Sequence, residues 1–374
     1  MRKHQSLPWL ANLSKFSIEP HYYRKRSVRN IMNEKFIAIR FNVSKKIGLG
    51  HLRRCQALAS MFEKHVFVVP KIGEKIALEQ GIPRNKLYVL TKNSNKWWQK
   101  IPYLTHIVTD IMSTGNKLSA GIEIKAIAQS PLKLTVIDSM PPDHFIPQEN
   151  SPKPDLVICP YHNSGTHLKK EYGYKYLNGA KYAILAPKFS EAKKLLQTPK
   201  VPRILLTCGG TDSNELSLKI LQSISPIPCQ IDLLIGPLFS QNLIKNLQSF
   251  SKSEKKITFH KNVQNMLPFY QSATLVVGRP GLTRYEAAVF GCHGLYLWDT
   301  KGYENYWKGL NESGIAEIYT SSQPEEENIF FKRLRYLSLN PENLPISLNE
   351  RALELVDGQG CKRVTDAILG LSNA

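Results

Sequence analysis

From Lys35 onward the chain alternates short apolar runs with longer amphipathic ones, and this rhythm restricts the fold more than any other feature. FIAIRFNV (36–43), HVFVVP (65–70), KLYVL (86–90), HIVTDI (106–111), LKLTVIDS (132–139) and PDLVICP (154–160) are short and β-branched, and several carry Asp, Pro or a small residue at or near their ends. Continuous apolar runs of this length read as strands covered on both faces, as in a parallel sheet. LRRCQALASMFEKH and NKLSAGIEIKAIAQS, which lie between them, have the length and patterning of helices. The alternation predicts an α/β, doubly wound domain. A lysine-rich stretch, PKFSEAKKLLQTPKVP (187–202), interrupts it and reads as a connection. The rhythm then resumes with RILLTCGG (203–210), QIDLLIGP (230–237), KITFHKNV (256–263), TLVVGRP (274–280) and GLYLWDT (294–300), which predicts a second α/β domain. The tail, LNERALELVDGQGCKRVTDAILGLS, reads as helices broken at glycine. The expected organisation is a basic extension over 1–34, a first domain over 35–190, a second over 201–345 and C-terminal helices over 346–374. A length of 374 residues suits two domains.

The formal net charge is +20, so some surface carries a positive field and an anionic partner is expected. In Met1–Lys35 eight basic residues face two acidic ones, and the rest of the excess is spread along the body of the chain. No basic region with heptads, zinc-finger spacing or aromatic-glycine box accompanies the charge, which argues against a nucleic-acid partner. Phosphorylated small molecules and the surface of an anionic membrane remain. The six cysteines, Cys55, Cys159, Cys208, Cys229, Cys292 and Cys361, lack C-x-x-C spacing, which fits a reduced, cytoplasmic setting. No apolar run is long enough to span a bilayer. LPWLANLSKF near the start is too short and polar for a signal sequence. Met32 precedes the first strand, so residues 1–31 read as an extension or as sequence ahead of the working start.

In an open parallel sheet the loops at the carboxyl ends of the strands line the ligand crevice. Four such loops carry unusual chemistry. In IGLGHLRRCQALA, Gly48 and Gly50 allow a tight turn and His51 falls at the start of a helix, which disfavours the imidazolium. His51 is thus a general base in the cleft or a histidine capping its own helix. In LLTCGGTDSNELSLKI, Gly209, Gly210 and Thr211 form a backbone-amide nest for phosphate, or a turn in which Thr211, Asp212 and Ser213 cap the next helix. In VVGRPGLTRYEAAVFG, the turn at Gly278, Gly281, Leu282 and Thr283 is followed one helical turn later by Glu286. Amides there suit a diphosphate and the carboxylate suits ribose hydroxyls; otherwise Glu286 is a solvated helix residue. Asp110, Asp138 and Asn163, at strand ends, hold substrate hydroxyls or cap neighbouring helices. No paired Asp or His spacing suggests a metal site.

Taken in order, IRFNVSKKIGLGHLRRCQALA, YAILAPKF, LLTCGGTDSNELSLKI, GRPGLTRYEAAVFG and VDGQGCKRV resemble the nucleotide-sugar hydrolases of pseudaminic acid biosynthesis and the related spore-coat polysaccharide family, which are similar in turn to the murein glycosyltransferase. The resemblance runs from about Phe36 to Leu369. It implies a GT-B fold: two Rossmann-like domains facing a cleft, with a C-terminal helix packing back on the first domain. It also implies a UDP-sugar substrate, hydrolysed with inversion and without metal or other cofactor. By resemblance His51 activates water, and Gly281, Thr283 and Glu286 bind diphosphate and ribose. Two departures bear on the sugar. Asp110-Ile111-Met112 stands where the family commonly has Asp-His-Tyr, and Gly302-Tyr303-Glu304-Asn305 replaces an Asn-Gln pair. Arg279 and Arg284 either add charge against a diphosphate or lie on the surface. A GT-B glycosyltransferase, in which His51 deprotonates a lipid or glycan acceptor, is the rival expectation. The basic charge suits that rival, because it favours peripheral contact with an anionic membrane.

Overall fold

The computed structural model describes residues 35–91, 96–111, 117–138, 153–162, 175–191, 202–299, 301–344 and 346–371. The extension over 1–34, Met112 and Asn163 lie outside them.

Two parallel sheets carry the chain. The first has seven strands, β1 (Phe36–Phe41), β2 (Lys64–Pro70), β3 (Leu87–Leu90), β4 (His106–Asp110), β5 (Lys133–Ile137), β6 (Leu156–Cys159) and β7 (Lys175–Asn178), in the order β3-β2-β1-β4-β5-β6-β7. The second has six, β8 (Arg203–Thr207), β9 (Gln230–Ile235), β10 (Ile257–Lys261), β11 (Leu275–Gly278), β12 (His293–Trp298) and β13 (Glu317–Thr320), in the order β10-β9-β8-β11-β12-β13. The helices are α1 (Gly50–Ala59), α2 (Glu74–Glu79), α3 (Lys117–Ala128), α4 (Leu216–Ser223), α5 (Gln241–Ser251), α6 (Leu267–Ser272), α7 (Thr283–Val289), α8 (Glu304–Ser313), α9 (Pro324–Leu339), α10 (Ile346–Leu355) and α11 (Gly360–Leu369). The arrangement is the expected GT-B one.

The strands are apolar on both faces because both faces are covered. On β1, Ile37, Ile39 and Phe41 face a core shared with α1, while Ala38 faces the opposite core with Trp97 and Ile124. The second sheet is covered in the same way, by α4, α5 and α9 on one side and α6, α7 and α8 on the other. The strand reading missed β7 and β13. Both are four-residue edge strands; KYLN is only partly covered, and EIYT alternates between half-buried and buried, so neither shows the continuous apolar run that marks its neighbours.

The sense in which successive strands are added reverses beside β1 in the first sheet and beside β8 in the second, so the switch points lie between β1 and β4 and between β8 and β11. The crevice of such a sheet opens outside the carboxyl ends at this point. The histidine turn follows β1, Asp110 ends β4, the Gly209–Gly210 turn follows β8, and the Gly281 turn follows β11.

The C-terminal helix returns to the first domain. Cys361, Val364 and Ile368 of α11 are buried in the same core as Leu52 and Leu58 of α1. Burying three such side chains contributes about 1.5–3 kcal/mol each, enough to hold the helix down. Ile184 belongs to this core, and its neighbour Leu185 to one shared with the second domain. On the way back, Val356 belongs to the second-domain core and Cys361 to the first. The two crossings touch: a Cβ on Gly360 would sit 2.2 Å from the Ala183 carbonyl oxygen, and one on Gly358 2.7 Å from that of Phe189.

Candidate active site

Beyond β1 the chain folds back on itself, with the Gly48 amide donating to the Ser44 carbonyl at 2.8 Å and the Ile47 amide to Ser44 Oγ at 3.1 Å. Gly48 takes φ of +81°, a conformation that side-chain-bearing residues rarely adopt. The turn delivers Gly50 as the first residue of α1 and His51 as the second. Asp110 ends β4 in register with Phe41, the last residue of β1, so its carboxylate lies beside the start of α1. His51 Nδ1 is 2.6 Å from Asp110 Oδ1, and the histidine side chain is 17% exposed against 1% for the aspartate.

Arg54 lies three residues after His51, on the same face of α1. Its Nε donates to Asp110 Oδ2 at 2.9 Å and its Nη2 to Oδ1 at 2.8 Å, a bidentate pair. Burial pushes the Asp110 carboxyl upward, but Arg54 and His51 together hold it well below the usual carboxylate range. An ionised carboxylate that accepts from Nδ1–H fixes that tautomer and leaves the lone pair of the neutral ring on Nε2. The imidazole's hydrogen-bond partner is thus Asp110, which the sequence alone did not pair with it. Arg54 Nη1 also donates to the hydroxyl of Tyr161, just beyond β6, whose phenol is pushed up to about 12, mainly by burial.

Facing this cluster, the Gly209–Gly210 turn does not lead directly into a helix. Thr211 to Glu215 intervene; Glu215 holds the N-cap position of α4 without a side-chain bond, and Asp212, three residues upstream, accepts from the Leu216 and Ser217 amides, both at 2.9 Å. Gly210 serves a close approach: a Cβ there would lie 2.7 Å from Leu49 Cγ, so the histidine turn rests directly on the second domain.

The Gly281–Thr283 turn opens α7, with the Gly281 amide donating to the Arg279 carbonyl at 2.9 Å. Glu286, in the first turn of α7, is half-buried, not solvated, and its Oε2 accepts from the Tyr270 hydroxyl at 2.6 Å. Burial pushes its carboxyl up, while the Tyr270 hydrogen bond and the charges of Lys188 and Arg53 act the other way. Neither arginine lies free at the surface. Arg279 pairs with Asp299 at 2.6 Å and lies against Trp298. It lines a cavity of about 100 Å³ with Asn214, Lys219, Ser321 and Glu327. Arg284 is buried at 2% exposure, and its Nη1 donates back to the carbonyls of Pro280 and Gly281 at 3.0 and 2.6 Å.

The structure therefore brings His51 and Asp110 together and sets the Gly48–Gly50 turn against Gly210. Asp138 stands apart, buried beyond β5, where the Cys159 thiol donates to it at 3.6 Å. Sequence reasoning missed Arg54 and Tyr161. The i, i+3 spacing of His51 and Arg54 was the available signal for the first; none marked the second. Among the described residues no three His, Cys, Asp or Glu gather closely enough to hold a metal ion, and no helix is long and apolar enough to cross a membrane.

No family model matches the chain. An uncharacterized protein of Methanocaldococcus jannaschii is 25% identical over 306 residues, 75% of this chain and 60% of the relative. The spore coat polysaccharide biosynthesis protein SpsG of Bacillus subtilis is 27% identical over 193 residues, 50% of this chain and 56% of SpsG. The chain thus spans less than two thirds of the length of the curated relatives it matches. Among solved structures, MurG of Acinetobacter baumannii superimposes with a TM-score of 0.56 at 14% identity, covering 90% of this chain and 100% of MurG. The UDP-GlcNAc 2-epimerase of Neisseria meningitidis bound to UDP-GlcNAc gives 0.54 at 13% identity, over 90% of this chain and 100% of the epimerase. At these identities the likeness is one of fold.

Proposed function

We propose that the chain hydrolyses a UDP-activated diacetamido-trideoxy hexose, releasing UDP and the free sugar with inversion, for nonulosonate or surface polysaccharide synthesis. The observation that carries this reading is the Asp110–His51 pair at 2.6 Å, set in a glycine turn at the switch point of the first sheet. The motif resemblance to the nucleotide-sugar hydrolases supports it. So do a relative named for spore coat polysaccharide biosynthesis and a fold neighbour bound to UDP-GlcNAc.

In this reading His51 Nε2 takes a proton from water as the water oxygen bonds to the anomeric carbon. The bond from that carbon to the UDP β-phosphate oxygen breaks on the opposite face, and its electron pair leaves with UDP. Asp110, ionised at working pH, stabilises the imidazolium that forms and keeps the ring aimed. The Gly281, Leu282 and Thr283 turn receives the diphosphate, with the Gly209, Gly210 and Thr211 turn facing it, and the free oxygen of Glu286 accepts from the ribose hydroxyls. UDP release from the diacetamido-trideoxy-altrose UDP-sugar, measured with chelator present and no acceptor added, tests the reading. Release that disappears in His51→Asn is expected; no release by a chain that still binds UDP overturns it.

One observation favours a second reading, transfer to a lipid or glycan acceptor. Ile72 is 75% exposed just beyond β2, and the same stretch exposes Leu78 on α2 together with Lys71 and Lys75, which pair with Glu74 and Glu79. An exposed isoleucine with lysines close by in sequence suits contact with an anionic membrane. In that reading the His51 Nε2 proton acceptor serves an acceptor hydroxyl instead of water.

A further inference from the structure

The two halves of the cleft are joined by side chains to which the proposed reaction gives no task. Arg54 uses one edge of its guanidinium on Asp110 and the remaining nitrogen on the Tyr161 hydroxyl. Tyr161 lies between two arginines from different domains: the guanidinium carbons of Arg54 and Arg284 are 5.5 and 5.7 Å from its ring centre. Arg284 also lies 4.5 Å from the Tyr285 ring and 5.6 Å from that of Trp307. Its Nη1 turns back to the carbonyls of Pro280 and Gly281. Beside this stack the His162 amide donates across the domain boundary to the Tyr285 hydroxyl at 2.9 Å. Arg54, Tyr161, Arg284 and Tyr285 are all buried.

Burying a guanidinium at a domain boundary is costly, and an aliphatic residue fills such a space at lower cost. What arginine adds is direction, because its planar fork fixes the groups it bonds relative to the ring it faces. Here Nη1 of Arg284 ties the Pro280–Gly281 turn to a guanidinium plane that faces Tyr161, and Tyr161 in turn fixes Arg54 relative to Asp110. The path from the Gly281 turn to the His51 ring is therefore continuous, and every link in it is polar or cation–aromatic.

We propose that Tyr161 and Arg284 are positioning residues that couple the Gly281 turn to His51, so that a nucleoside diphosphate bound on the second domain sets the aim of the imidazole on the first. The coupling rests on the reading of the cleft as a nucleotide-sugar site. Its readout does not depend on hydrolysis: UDP is added to full-length chain carrying 15N-labelled histidine, and the His51 ring nitrogens, assigned by their loss in His51→Asn, are followed.

In the wild-type chain UDP shifts the His51 ring resonances. Tyr161→Phe keeps the ring and removes the hydroxyl that Arg54 reaches; Arg284→Lys keeps the charge and removes the fork. Both variants should bind UDP within about threefold of wild type, lose most of the UDP-driven shift, and show kcat about 10- to 100-fold lower at nearly unchanged KM, the split expected of a displaced catalytic group. A merely structural role lowers the melting temperature and leaves the shift and that split untouched. Wild-type UDP binding without a His51 shift, or variants that keep both the shift and kcat, overturns the coupling. A wild-type chain that does not bind UDP overturns the nucleotide reading and the coupling with it. Loss of the shift in both variants supports the coupling even where no hydrolysis is found, so the two readings fail separately.

Discussion

The two sides of the cleft are built from different materials. The first domain contributes charges that satisfy one another: Asp110 holds His51 and Arg54 in a buried cluster drawn from a helix and a strand end. The second contributes backbone turns, tyrosines, the buried Arg284 and a half-buried carboxylate, Glu286, one oxygen of which accepts from Tyr270. A self-neutralised cluster is suited to holding a proton acceptor in a fixed direction, because its members are already one another's partners. A turn backed by aromatic rings is suited to receiving something charged from outside. In the proposed reading, the division between chemistry and binding follows how each side satisfies its own polar groups.

The sharpest way to break that division is His51→Asn. Turnover should fall by roughly 10²- to 10⁴-fold, the range for loss of a general base, while UDP affinity stays put. Steady-state UDP release and calorimetry with UDP check the two halves; a parallel loss of affinity would mean that the first domain binds as well as reacts. Asp110→Asn should be the most damaging change to stability, about 3–5 kcal/mol in denaturant unfolding, because it leaves Arg54 buried beside a neutral amide. The Asp110 carboxyl is depressed by folding, so its contribution is fully present above the unfolded carboxylate value and is lost as pH falls towards the folded one. The wild-type advantage over Asp110→Asn should accordingly be flat around neutrality and shrink only in acid.

Glu286→Gln should have the smallest effect, weakening UDP by about tenfold, the worth of a hydrogen bond to a charged group, with little change in kcat at saturation. Its carboxyl is raised by burial, which sharpens the comparison. Ribose hydroxyls donate to the ionised form, so wild-type UDP affinity should begin to fall on the acid side at a pH above the ordinary carboxylate range. Asp110 remains ionised there, and the acid loss should vanish in the Gln variant. An unchanged acid limb would remove Glu286 from the ribose site.

The same division explains what could be read from sequence. The second-domain turn and its glutamate lie within six residues of one another, so the spacing of Gly281, Thr283 and Glu286 was visible in a single motif. His51 was visible because two glycines, Gly48 and Gly50, lead into it. Its partnership with Asp110 spans 59 residues and depends on β1 and β4 being neighbours in the sheet, which alternation of apolar runs does not specify. Arg54 looked like one more basic residue on an amphipathic helix, and only the approach of β4 and β6 makes it a buried one. The burial of Arg284 is set by tyrosines at 161, 285 and 306 that no local pattern connects.

The two chain crossings between the domains touch each other through Gly358 and Gly360. Two strands of covalent chain lying side by side define a line, and a body joined to another along a line folds about it like the cover of a book. A single crossing would leave a swivel with three axes of rotation; two crossings side by side leave the one along which they run. The catalytic histidine proposed for one page and the nucleotide turn proposed for the other would then part and meet along one arc, returning to the same register each time the book closes.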